Sequence, residues 1–343
     1  MGVFLTPISI RHPTTLEALR GRAVAVDGNL ELYQFLSIMR TRDGSPLQDA
    51  QGRITSHLNG LVFRTSRLIS EFDIRPVFVF DGPPPELKRE EIRKRREVRE
   101  KSQREYQAAL AAGDTMTAWS KAVMTSRLTK SMVEEAKALL GFLGIPSVQA
   151  PSEGEAQAAF LACRGDVWAA GSKDYDSLLF GTPRLIRFLA VQSTEFLPRF
   201  GRSRSVPPEL LVLEEWLSSL RITREQLVDL AMLVGTDFFP GLHGFGPKTA
   251  LKRIREWGSL DNAPDEIGNQ LPSNLDEIRA FFLDPPVTTA FDLSPPSLRI
   301  EQARRFLCDE RGFSEERVNG ALARLSSARR PARRLEEFDH EAS

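Results

Sequence analysis

Two short runs of consecutive apolar residues, RAVAVDGN at 22–29 and RPVFVFDG at 75–82, each break off at an aspartate followed by glycine. Continuous hydrophobicity over so few residues marks a strand covered on both faces, as in a parallel sheet. DVWAAGSKDYDSLLF at 166–180 repeats the scheme, predicting a strand around Val167–Ala170 with Asp174 and Asp176 just beyond it. PSVQAPSEGE predicts a strand around Ser147–Gln149 and a helix that opens at Glu153. Between these strands, LNGLVFRTSRLISEF and TKSMVEEAKALLGFLG carry apolar residues at the spacing of amphipathic helices. Alternating strands and helices predict an α/β fold, a mostly parallel central sheet with helices on both faces.

Ligands of open α/β sheets bind beyond the carboxyl ends of the strands. Asp27, Asp81, the Glu153/Glu155 pair and the Asp174/Asp176 pair all fall at such ends, so four strand ends deliver acids to one edge. The two glutamates also have a local explanation. Ser152 followed three residues later by Glu155 fits a capping box, and acids suit the first turn of a helix. On a helix the glutamates stand ~200° apart and share no face, but in the first turn they can straddle the helix end. That leaves the cap mainly to Ser152 and makes Glu155 a better ligand than capping partner.

The chain has 343 residues, 41% of them apolar, enough for a large core. Basic and acidic residues balance at 46 each, so a polyanionic partner has to be met by local segregation of charge. KREEIRKRREVREKSQR at 88–104 supplies it, with nine basic residues against four acidic ones. Pairs at i,i+4 on a solvated helix explain such a run, Arg95 with Glu91 among them. Its place directly after Asp81 also hangs basic side chains over the acids, where they can hold a phosphate. Cys163 and Cys308 have neither metal-ligand spacing nor a disulfide framework, which suits a reducing compartment, and both are expected to be buried. No apolar run approaches the ~20 residues of a membrane span. The start lacks the pattern of a signal peptide, and MGVFLT meets the loose myristoylation pattern by chance.

After residue 222, TREQLVDLAMLVGTDFFPGLHGFGPKTALKRIREWG predicts a helix, a glycine-rich hairpin and a second helix. Gly244 and Gly246 precede the helix opened by Pro247, so backbone N–H groups are open to an anion, with Lys248 beside them. A Walker loop is excluded, because Pro247 intervenes before the lysine and a helix, not a strand, precedes the glycines. Asp237 is a seventh acid, or a cap for the next turn. The proline-rich stretch 283–302 reads as an ordered but irregular connection, and the residues beyond Leu325 as a flexible tail.

Asp27, Asp81, Glu153, Glu155, Asp174, Asp176 and Asp237 repel one another unless neutralised, and some then take up protons. Oxygen ligands from several elements suit Mg²⁺, for which Mn²⁺ can substitute, whereas four histidines with no metal-binding spacing argue against zinc. Two such ions activate a water and stabilise the leaving oxygen of a phosphodiester displacement without a protein nucleophile.

AVDGNLELYQFL, TSHLNGLVFRT, VFVFDGPPPELK, APSEGEAQAA, KDYDSLLFG and LVGTDFFPGLHGFGPKTA occur in this order. With them the chain resembles the structure-specific 5′ nucleases of the xeroderma pigmentosum G superfamily, most closely the archaeal-type flap endonucleases, from Met1 through FSEERVNGALARL at 313–325. The resemblance implies a Mg²⁺-dependent 5′ flap endonuclease with 5′–3′ exonuclease activity, which cuts branched DNA with two metal ions in repair and in Okazaki fragment maturation. It implies a single nuclease domain over 1–325. Within it lie an N-terminal block with the start of a gateway (1–105), a helical arch (105–135), an internal block with the helix-hairpin-helix (136–260) and a C-terminal helical part with a 3′-flap region (261–325). The tail is 326–343.

The same resemblance assigns residues. All seven acids form the metal site, with Asp81 and Asp174 acting beside Lys88 and Arg95, which reach the scissile phosphate diester from the gateway helix. Tyr33 stacks on a base near the cut, and Gly2 lies near the DNA. Gly244, Gly246 and Lys248 grip the duplex backbone with a bound K⁺, while Thr55, His57 and Arg317 belong to the part that receives a one-nucleotide 3′ flap. Plainer roles stay open: Lys88 as a surface lysine, Tyr33 as core beside Leu32 and Phe35, the hairpin as a tight turn. Lys173 departs from the family pattern, and either pairs with an acid or points away. In the tail, Leu335 and Phe338 keep part of a sliding-clamp motif in which Ala332 replaces the usual glutamine and Asp339 the second aromatic. The implied setting is a monomer acting on 5′-flap DNA in the cytoplasm of a prokaryotic cell, with no membrane partner. Two other classes fit parts of the pattern: a catalytically silent junction-binding scaffold and an acid-cluster RNase.

Overall fold

The two apolar runs that end in aspartate become neighbouring strands at the centre of a sheet. The computed structural model describes residues 2–41, 44–114, 117, 121, 125–189, 193–197 and 202–329. Among them the strands are β1 (His12–Pro13), β2 (Ala23–Asp27), β3 (Arg75–Phe80), β4 (Ser147–Gln149), β5 (Ala169–Gly171), β6 (Arg184–Arg187), β7 (Ser193–Leu197), β8 (Arg202–Val206) and β9 (Glu209–Val212). Seven of them make one sheet in the order β1-β9-β6-β5-β2-β3-β4, and β7 pairs with β8 apart from it. Four of the six ladders in the large sheet are parallel, so the sheet is mostly parallel as predicted, with β9 and β1 closing one edge antiparallel. β5 begins two residues later than the expected Val167, whose N–H instead bonds the Leu161 carbonyl in the helix that precedes it.

Both faces of the sheet are covered because successive strand residues point to opposite sides. The helices that matter here are α1 (Gly28–Ile38), α2 (Ser56–Phe72), α3 (Arg89–Ala111), α4 (Lys130–Phe142), α5 (Gly154–Cys163), α6 (Arg224–Val234), α7 (Pro247–Trp257) and α8 (Glu315–Ala328). Val24, Val26, Phe78 and Phe80 pack with α1, α2, α4 and α8. Ala25, Val77 and Val79 pack with α5, α6 and α7 on the other side. The basic run is a single helix, α3, of 23 residues. Gln157 on α5 fixes the proline-rich connection by bonding the backbone of Thr288 twice, at 3.0 and 2.7 Å, which explains how an irregular segment stays ordered.

Two expectations need correction. α8 continues to Ala328, past the proposed start of the tail, and residues 330–343 lie outside the described part. Cys163 is exposed and Cys308 only half-buried, because Cys163 is the last residue of α5, its thiol donating to the Gly181 carbonyl at 3.2 Å.

Helix α2 approaches α1 closely at one glycine. A Cβ at Gly60 would lie 2.1 Å from Cγ of the fully buried Phe35. Gly60→Ala is therefore expected to lower stability by about 1–3 kcal/mol through overpacking. The readout is a lower urea midpoint at unchanged slope. A midpoint equal to wild type would show that α1 and α2 do not meet this tightly.

Candidate functional site

Parallel pairing aligns the carboxyl ends of β5, β2, β3 and β4, and the acids with them. Asp27 ends β2, Asp81 follows β3, Glu153 and Glu155 follow β4, and Asp174 and Asp176 follow β5. Asp237 arrives separately, in the loop after α6. The Thr236 hydroxyl accepts from the N–H groups of Phe238 and Phe239 at 3.2 and 3.3 Å, so it does the capping for which Asp237 was a candidate. The Asp237 carboxylate is left to face cations.

At PSEGE the local cap fails. Glu153 is the N-cap of α5 but makes no side-chain cap bond, and the Ser152 carbonyl accepts from Gly82 N–H at 2.6 Å. The first helical N–H, that of Gly154, donates to Asp81 Oδ1 at 2.7 Å. This corrects the expected Ser152 cap: a carboxylate from the adjacent strand end already faces the positive end of the helix and outcompetes the neutral hydroxyl. The two glutamates diverge as their spacing dictates. Glu153 accepts from Lys88 Nζ at 2.7 Å, while Glu155 Oε1 accepts from the Ser172 and Ser177 hydroxyls at 2.7 and 3.0 Å.

The N-terminal segment is tied to the same edge. Val3 N–H donates to Asp176 Oδ1 at 2.8 Å, and a Cβ on Gly2 would meet Asp174 Cβ at 2.8 Å, so only glycine fits against that aspartate. Lys173 is exposed, its carbonyl accepts from Arg187, and its ammonium pairs with none of the acids among the described residues.

Two cations reach the cluster from α3 and the turn before it. Lys88 lies 2.7 Å from Glu153 and 3.1 Å from Asp237. Arg95 pairs with Glu91 at 2.9 Å, as a helix neighbour should, and with Asp237 at 2.6 Å. The helix-pair reading and the site reading of Arg95 are therefore both realised, by different nitrogens of one guanidinium.

Burial and crowding separate the acids electrostatically. Burial, then Asp81, pushes Asp27 well above the usual carboxylate range. Glu155 is pushed well up by burial and by Asp176. Asp176 rises to about 7 through burial, Asp237 and Asp174. Asp81 rises to about 6 through desolvation and Glu153; it opens to the cleft, so water tempers the effect. Asp237 behaves oppositely: burial alone would raise it, but Lys88 and Arg95 outweigh burial and hold it at about 2. Burial likewise would lower Lys88, and Glu153 and Asp237 outweigh it to keep the ammonium charged.

Among the described residues no three His, Cys, Asp or Glu side chains form a group that holds a metal ion as they stand. The bonds above give the reason, since Gly154, Val3, Ser172, Ser177 and Lys88 each draw a carboxylate toward a local donor. The donor set is nonetheless all hard oxygen, gathered from four strand ends and one loop until its members repel. It fits a hard divalent cation, whose charge relieves that repulsion.

The outer residues divide. Tyr33 is 37% exposed on α1, so it is not core. Gly244, at φ +85°, and Gly246, the N-cap of α7, are exposed together with Lys248, so the hairpin presents free backbone to solvent. Arg317 is exposed and stacks over Phe63 at 4.4 Å, and Phe63 lies 6.3 Å from Phe313, so α2 and α8 meet as expected. Thr55 and His57 are buried, His57 completely, with Nε2 3.6 Å from Glu135. This corrects their role: they offer no surface to a nucleic acid and support that region from beneath. Leu335, Phe338, Ala332 and Asp339 lie outside the described residues. Sequence reasoning missed Glu31, a buried acid one turn beyond Asp27, whose signal was a charge on the apolar stripe of α1. No described helix is long and apolar enough to cross a membrane.

Family models for the XPG N-terminal domain and the XPG I-region match residues 2–102 and 144–237. Flap endonuclease 1 of Pyrococcus horikoshii is 48% identical over 329 residues, covering 96% of this chain and 95% of that protein. The Archaeoglobus fulgidus flap endonuclease 1 is 46% identical over 338 residues, covering 98% and 100%. Among solved structures, flap endonuclease-1 from Methanococcus jannaschii matches with a TM-score of 0.76 at 38% identity, covering 95% of this chain and 98% of that one. The catalytic core of Rad2 in complex with DNA substrate matches at 0.67 and 26%, covering 94% and 97%.

The raised acids make stability depend on pH. Asp81 at about 6 and Asp176 at about 7 stand above the ~3.9 of an unfolded aspartate, so across that window the folded chain binds more protons than the unfolded one. Stability then falls as pH rises. In EDTA, Tm is expected to drop between about pH 4 and pH 7, and a saturating divalent ion to flatten that slope. A Tm that climbs with pH in EDTA would contradict the mutual repulsion.

Proposed function

The chain belongs to the flap endonuclease 1 family, and on that premise we propose that it is a structure-specific 5′ flap endonuclease with 5′–3′ exonuclease activity, acting on branched DNA in replication and repair. The observation that carries this reading is the meeting of seven carboxylates from four strand ends and one loop beneath Lys88 and Arg95. Asp27, Asp81, Glu153, Glu155, Asp174, Asp176 and Asp237 are the residues that would hold two divalent ions, Mg²⁺ or in its place Mn²⁺, directly or through water. Such ions, when bound, supply an activated water and charge for the leaving oxygen.

The chain's own groups do the positioning. Lys88 and Arg95 neutralise and orient the scissile phosphate diester, exchanging carboxylate partners for phosphate oxygens. Tyr33, exposed on α1, stacks on a base beside the cut. Gly2, lacking a side chain, lets the strand approach Asp174. The N–H groups of Gly244 and Gly246, with Lys248, take a duplex phosphate, and a K⁺ sits at the hairpin. Arg317 on its Phe63 platform lines the 3′-flap region, which Thr55 and His57 buttress. We assign the nuclease domain to the chain up to the end of α8 at Ala328, a monomer working in the cytoplasm of a prokaryotic cell. A sliding clamp has only Leu335 and Phe338 as anchors on the tail.

Asp174→Ala is expected to reduce cleavage of a 5′-flap DNA by at least about 10³-fold while leaving flap affinity within about threefold. Substantial residual cleavage would remove Asp174 from the metal site. Wild-type chain that binds the flap tightly and never cuts it would establish the silent scaffold instead. Preference for an RNA hairpin would establish the RNase.

Lys88→Ala separates two roles of one side chain. It is expected to slow single-turnover cleavage by about 10²- to 10³-fold with little change in flap affinity. Because the lysine neutralises Glu153 and Asp237, the same change should tighten binding of Mg²⁺ alone. Equal losses of rate and affinity would reduce Lys88 to an ordinary phosphate contact.

A further inference from the structure

Glu31 stands apart from its neighbours on the inward stripe of α1, which are Gly28, Leu32, Phe35 and Leu36. It is 4% exposed, and its Oε2 has no hydrogen-bond partner among the described residues. An oxygen so placed works against folding, because it loses its water and gains no hydrogen bond in return. Such a group persists where it serves something other than stability.

Its position says what that is. Glu31 follows Asp27 by four residues, so the two acids are neighbours along one helix face. Helical side chains lean toward the N-terminus of their helix, and here that direction is toward Asp27 and the acid edge. The charge of Glu31 is felt at Asp27, where it adds to the repulsion from Asp81 and Asp174. Burial alone pushes Glu31 up to about 8, with no basic side chain to offset it, whereas Asp237 has both Lys88 and Arg95.

We propose that Glu31 is an eighth carboxylate of the metal centre, held behind Asp27 to accept hydrogen bonds from water on a divalent ion bound at that acid. The proposal rests on the reading of the seven acids as a metal centre and adds a residue outside them. Its buried position lets it orient water without competing for the ion, and its unused oxygen is the acceptor that such water needs. Groups in this outer position typically change metal affinity by roughly 10- to 100-fold.

The test uses the full chain and its Glu31→Gln and Glu31→Ala variants, each titrated with Mg²⁺ alone and Mn²⁺ alone by calorimetry well below its Tm. Ion affinity is expected to weaken about tenfold or more in both variants. In EDTA the Tm of Glu31→Gln should equal or exceed that of wild type, because the amide keeps the shape of the side chain and removes an ionisable group that burial disfavours. An affinity of Glu31→Gln within about threefold of a wild type that does bind the ions overturns the proposal and leaves the seven-acid reading standing. A wild type that binds neither ion overturns both.

Discussion

Like-charge repulsion at one edge of a parallel sheet is the constraint on which the rest of this molecule depends. Parallel pairing aligns the ends of β2, β3, β4 and β5, and each of those ends is followed by acid. Carboxylates collected this way need protons, basic side chains or bound cations as neutralisers. The protein's own share is uneven. Lys88 and Arg95 serve Glu153 and Asp237, and Lys88 eases Asp176 from a distance, while Asp27 and Glu155 are buried with no basic side chain paired to them among the described residues. That asymmetry leaves a site with charge still to be met from outside.

The acids also hold their own surroundings together. Asp27 caps α1 by accepting from Leu30 N–H, Asp81 caps α5 through Gly154, Asp176 anchors the N-terminal segment through Val3, and Glu155 gathers Ser172 and Ser177. Site and scaffold therefore share atoms. A neutral replacement at Asp27 or Asp81 gives up a helix cap as well as a candidate ligand, whereas among the described residues no hydrogen bond ties the Asp174 side chain, which makes it the cleaner probe of chemistry. Around this edge α2, α7 and α8 join the sheet through their apolar faces, whereas α3 is tied to it by the ion pair of Arg95 with Asp237.

Much of this was legible in the chain. Continuous apolar runs ending in acid and glycine announced buried parallel strands, and the same residues announced where a ligand would sit. Asp237 could not be located by that rule, because it follows a helix; only the packing of α6 brings it to Lys88. Ser152 and Glu155 satisfied a capping pattern that the folded chain does not use, since a stronger acceptor, Asp81, comes from 73 residues away. His57 and Thr55 lay in a motif rich in polar residues, yet α2 turns them inward. Glu31 hid in the helix pattern as one charge among apolar residues.

The sequence by itself determined the four parallel strands β2 to β5, the edge at which acids collect and the charge character of α3, because periodicity and residue type act within a few residues of chain; β1, β6 and β9 joined the sheet only through tertiary pairing. Only the tertiary structure decided how those charges are shared. Which acid caps a helix, which takes a lysine and which is left buried without a partner depends on distances between segments far apart in the chain. Electrostatic energy follows those distances and the local exclusion of water, neither of which is written at any one position.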